Sequence, residues 1–75
     1  MTTADLVRDL ALSLARTEPD PEQAVHELEM CCDGRRVAAV RARQQLVATL
    51  EGDLVVADAP RAIELLDGLL VRLPA

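Results

Sequence analysis

The sequence predicts an all-α fold, a small four-helix bundle-like domain with short connections that association between copies would complete. Three observations carry this. Apolar residues recur at three- and four-residue spacing in four separate stretches, the period of a helix face. Acidic residues, prolines and glycines fall between those stretches, where helices start and stop. The apolar helix formers are mainly Ala and Leu. Together they place helices near residues 3–16, 21–32, 35–51 and 59–73 of one 75-residue domain.

Thr2-Thr3-Ala4-Asp5 puts a hydroxyl three residues ahead of an acid, a near match to a capping box, and starts the first helix. Leu6, Val7, Leu10, Ala11, Leu14 and Ala15 share its inward face, opposite Asp5, Asp9 and Arg16. Leu12 falls on the polar side and is expected to be exposed, a second contact surface there being the lesser alternative. Pro19 ends this helix, and Asp20-Pro21-Glu22-Gln23 starts the second with an acid cap and proline at the first helical position. Ala24, Val25, Leu28, Cys31 and Cys32 face inward, while Glu22, His26 and Met30 share another face. Asp33-Gly34 closes the helix, glycine taking the left-handed conformation.

The third helix carries Ala39, Val40, Leu46, Val47 and Leu50 as its apolar stripe, with Arg36 and Arg43 inside that stripe. An arginine so placed either snorkels out of the core edge or meets a carboxylate across an interface. Leu54-Val55-Val56-Ala57 is too short for a helix of its own and is expected to be an extended connector or single turn pressed on the core. Intermolecular strand pairing is the lesser alternative. Asp58-Ala59-Pro60 begins the last helix, whose inward face is Ala62, Ile63, Leu65, Leu66, Leu69, Leu70 and Leu73. Gly68 costs about 1 kcal/mol relative to alanine inside it, so residues 69–73 have a strand after an Asp-Gly turn as their alternative.

A domain this small buries only ~60% of the surface its unfolded chain exposes. With 51% apolar residues and no aromatic side chain, aliphatic groups must do all the packing. Such a core rarely supplies more than about 3–5 kcal/mol, so a homo-oligomer or a dedicated protein partner is expected. All eight basic residues are arginine, a bias that suggests a GC-rich bacterial genome. The net charge of −5 opposes attraction to nucleic acid and to anionic lipid. No apolar run reaches 18 residues and no basic leader precedes a cleavable apolar stretch, so a cytoplasmic location is expected. Cys31 and Cys32 are adjacent and form no ordinary structural crosslink, which excludes a secreted disulfide scaffold.

Charge is segregated along the chain. Glu18, Asp20, Glu22, Glu27, Glu29 and Asp33 appear with no arginine among them, and Arg35, Arg36, Arg41 and Arg43 follow with no acid. If Asp33-Gly34 folds these blocks back on each other, the acidic second helix faces the arginines. The functional expectation is a helical protein–protein interaction module, an adaptor or regulatory subunit, that self-associates or docks through the third helix. Val40, Arg43, Val47 and Leu50 are its expected contact residues.

The rival expectation is a helix-turn-helix DNA-binding regulator, with Arg35, Arg36 and Arg41 contacting an anion or nucleic acid and Arg43, Gln44 and Gln45 adding phosphate and base contacts. A third is metal or redox sensing by Cys31, Cys32 and His26. Cys31 and Cys32 point about 100° apart around a helix, which argues for core cysteines instead. Enzyme chemistry is not expected: Ser13 is the sole serine and His26 the sole histidine, on different helices with no orienting partner. No catalytic, cofactor or metal residue is assigned. Size, acidity and helix count are similar to those of acyl carrier proteins. The Asp-Ser-Leu that would carry a phosphopantetheine is missing, with Asp33-Gly34-Arg35 in the corresponding middle of the chain, and no family is assigned.

Overall fold

Thr2 and Asp20 cap the first two helices through side-chain hydrogen bonds, whereas Arg35 and Asp58 stand at the starts of the other two without one. A computed structural model describes residues 2–18, 20–52 and 57–73, and in it four α-helices run α1 Thr3–Thr17, α2 Pro21–Cys32, α3 Arg36–Glu51 and α4 Ala59–Arg72. None of the described residues lies in a strand. The Thr2 hydroxyl accepts from the Asp5 amide at 3.2 Å while the Thr2 amide donates to Asp5 Oδ2 at 3.1 Å, completing the capping box of α1. The two Thr2 hydrogen bonds, the backbone one first, hold the Asp5 carboxyl below its ordinary value.

Asp20 Oδ1 accepts from the Glu22 amide at 3.0 Å, and Pro21 occupies the first turn of α2. At the other end of α2 two successive residues turn left-handed, Asp33 at φ 52° and Gly34 at φ 74°. The sequence pointed to the glycine alone; aspartate is one of the few other residues that visit this region readily.

The helix pair α1–α4 sits between α2 and α3, which touch each other least. This overturns the expectation that the acidic and basic blocks fold back on one another. The Asp33-Gly34 turn joins them, but α3 packs on α4 and α1, and α2 packs on α1 and α4. The Cα radius of gyration is 11.1 Å. A folded chain of this length is expected at about 11.4 Å.

The core is built largely from alanine and leucine: Ala11, Ala24, Ala39, Ala42, Ala59 and Ala62 interleave with Leu28, Leu46, Leu66 and Leu69, and Cys32 is fully enclosed among them. Small side chains let the helices approach closely, which suits a domain with no aromatic residue to span a wider gap. A close approach of this kind explains Gly68. A Cβ there would lie 3.2 Å from Val25 Cγ2 on α2, so α4 passes helically through the glycine and the strand alternative for 69–73 is not taken.

Assignments of buried and exposed faces change on two helices. Leu12 packs against the core and Leu6 is 49% exposed, because α1 is contacted on three sides and its buried arc is centred on Ala4, Val7, Ala11 and Leu14. On α3 the buried residues are Ala38, Ala39, Ala42 and Leu46; Val40 and Val47 are half-buried and Leu50 is 44% exposed. The helix turns Ala38, Ala39 and Ala42, not its valines, into the bundle. Of the connector expected at Leu54–Ala57, residues 54–56 lie outside the described residues and Ala57 stands exposed in a turn.

Candidate functional site

Because α3 buries its alanines, its valines are left on the flank and outer face. Val37 is 63% exposed, and with Val40, Arg36, Arg41 and Gln44 it lines an open groove of about 500 Å³. Two valines make the floor, and two guanidinium groups and an amide make the rim. Chemically this is a surface for an apolar side chain flanked by carboxylates.

The arginines divide into two kinds. Arg43 Nε donates to Asp67 Oδ1 of α4 at 2.6 Å, and Arg36 Nη1 donates to the carbonyls of Leu70 at 2.9 Å and Leu73 at 3.4 Å. Arg36 therefore sits at the negative end of the α4 dipole, where a cation is favoured. Both arginines face α4; the acidic α2 meets neither. Arg35 and Arg41 are exposed, and among the described residues neither forms an ion pair. They also line a smaller cavity of about 270 Å³ with Thr2, Thr3, Ala4, Val37 and Ala38, where the N-terminal ends of α1 and α3 meet.

Of the residues singled out from sequence, Val40 lies on the groove. Arg43 is held by α4, and Val47 and Leu50 continue the same strip toward the end of α3. Val37 was missed, and the sequence offered Gln44 only as a nucleic-acid contact. Their signal was present, since Val37, Val40, Gln44 and Val47 run at three-, four- and three-residue steps, a second helical row beside the one chosen.

The acidic side stands apart. Asp20, Glu22, Glu27 and Asp33 are exposed, Met30 beside Glu27 is 70% exposed, and among the described residues none of these carboxylates is in an ion pair. Arg8 and Arg16 serve the bundle, Arg8 Nη1 donating to Gln45 Oε1 of α3 at 2.7 Å and Arg16 Nε to Asp58 Oδ2 at 3.1 Å.

Cys32 is sealed in the core and donates to the Glu29 carbonyl at 3.3 Å. Cys31 is half-buried, and burial, with the neighbouring Cys32 adding to it, pushes its thiol up from the ordinary value. A raised thiol pKa lowers the thiolate fraction at neutral pH, the reverse of what a reactive cysteine needs. His26 is exposed on the outer side of α2. Among the described residues no three His, Cys, Asp or Glu side chains gather as a metal site, and no helix is long and apolar enough to cross a membrane.

No family model, curated protein or solved structure matches this chain. Its own residues carry the functional reading.

Proposed function

We propose that this protein is a small helical docking module that binds another protein surface on the outer face of α3. The observation that carries the reading is the exposure of Val37 beside half-buried Val40, rimmed by Arg36, Arg41 and Gln44. An apolar floor with a polar rim is the usual anatomy of a protein contact. Arginine is also favoured at such sites, because its planar fork pairs two-handed with carboxylates. Val40 contributes to the floor, and Val47 and Leu50 extend it along the helix. Arg43 supports the face from behind through Asp67.

A photo-crosslinking amino acid at Val37 tests this, with the same residue at Val71, 86% exposed on α4, as the control. The expected result is a discrete protein adduct from position 37 that Arg41→Glu abolishes, and none from position 71. Equal, diffuse labelling from both positions contradicts the reading.

The rival, a duplex reader, draws on the exposure of Arg35, Arg36 and Arg41 around the start of α3. Salt-titrated binding to duplex DNA separates the two, because a reader that neutralises phosphates loses affinity steeply as salt rises. Absence of salt-dependent binding removes it.

A further inference from the structure

The fold separates two complementary faces, of which the chain itself engages Arg36 through the Leu70 and Leu73 carbonyls. The α3 groove presents Val37 and Val40 between Arg36 and Arg41, and α2 presents exposed Met30 with exposed Glu27 one turn before it. Since α2 and α3 flank the α1–α4 pair, one chain cannot bring its own Met30 face onto its own groove. A second copy can. We infer that the occupant of the α3 groove is the α2 face of another copy of this chain, Met30 seated over Val37 and Val40 and the carboxylate of Glu27 meeting Arg41. This rests on the docking reading above and names its partner.

Charge also selects the mode of association. A symmetric α3-to-α3 contact sets Arg36 and Arg41 against their own copies, and like charges facing each other across an interface are unfavourable. An α2-to-α3 contact joins opposite signs. Because the two faces lie on opposite sides of the bundle, each contact leaves one groove and one α2 face open, and association is head-to-tail.

Sedimentation equilibrium of the purified chain, from micromolar to millimolar, reads the outcome. The wild type is expected to rise in average mass with concentration past that of two chains. Arg41→Glu alone and Glu27→Arg alone each hold it at the mass of one chain, and an equimolar mixture of the two variants at least doubles it. Both positions are exposed on helix surfaces, and helical circular dichroism with an unchanged thermal transition establishes that each variant is folded. A wild type that stays at one chain's mass at millimolar concentration overturns the inference, as does a mixture of folded variants that gains none. If position 37 still crosslinks to a different protein, only the second-copy assignment falls. If it crosslinks to nothing, the docking reading falls with it.

Discussion

Arg43 Nε of α3 donates to Asp67 Oδ1 of α4 at 2.6 Å, which turns an arginine on an apolar strip into an internal tie between two helices. Both side chains are partly exposed, at 39% and 51%. Pairs in such surroundings are worth roughly 0.2–1 kcal/mol. Arg43→Ala is therefore expected to lower the unfolding free energy by no more than about 1 kcal/mol in urea titration. The loss should shrink in high salt, and the double-mutant cycle with Asp67→Ala should give a coupling of the same small size. A loss several times larger would mean that Arg43 holds more than this pair.

Arg36 does a different job on the same flank. Its hydrogen bonds to the Leu70 and Leu73 carbonyls hold the last turn of α4, where the dipole favours positive charge by about 0.3–1 kcal/mol. Arg36→Ala should fray that turn first. Amide hydrogen exchange at Val71, Arg72 and Leu73 is expected to accelerate while Leu65 and Leu66 keep their protection; uniform acceleration along α4 would contradict the local role.

The approach of Gly68 to Val25 sets opposed effects against each other. Alanine at 68 gains about 1 kcal/mol of helix propensity. Its Cβ would meet Val25 Cγ2 at 3.2 Å, tighter than ordinary contact, and Val25 is a buried β-branched residue with little freedom to move. Gly68→Ala in the wild type is thus expected to be neutral or destabilising by thermal denaturation. In a Val25→Ala background the same change should stabilise by about 1 kcal/mol. Equal effects in both backgrounds would show that the two helices do not limit each other there.

Asp5 ties the start of α1 to pH. Its folded pKa lies below the unfolded value because the ionised carboxylate accepts from the Thr2 amide and stands in the capping box. A depressed acid contributes stability that is fully present above the unfolded value, ordinarily 3.8, and is lost as pH falls through the folded one. Titration by NMR should show the Asp5 carboxyl midpoint below the ordinary 3.8, with fraying at Thr3 and Ala4 on the acid side. In Asp5→Asn the pH dependence of that fraying should vanish.

Helix limits were legible because their determinants are local. Thr2 with Asp5, Asp20 with Pro21, Asp33-Gly34 and Asp58 to Pro60 mark boundaries that the structure places within about two residues of those read from the chain. What was not legible depends on which helices touch. Alanine gives a weak hydrophobic signal, so the valines of α3 were taken for its buried stripe. Close helix packing instead put Ala38 and Ala42 inside beside the expected Ala39 and Leu46, and left Val37 and Val40 to form the groove. A carboxylate of an adjoining helix was expected to meet Arg43, and Asp67 of α4, in the same chain, supplies it. Leu6 and Leu12 exchanged roles for a related reason, since one helix wheel cannot show that α1 has neighbours on three sides.

The most direct test of the α3 face is its solvent accessibility in concentrated solution, read as broadening of each amide by a soluble paramagnetic probe. Val37, Val40, Arg41 and Gln44 are expected to lose that broadening as protein concentration rises, with Met30 and Glu27 doing so in step and Leu6 and Val71 unchanged. Broadening at Val37 and Arg41 that stays equal to that at Val71 at every concentration, and also after addition of host extract, would contradict the account.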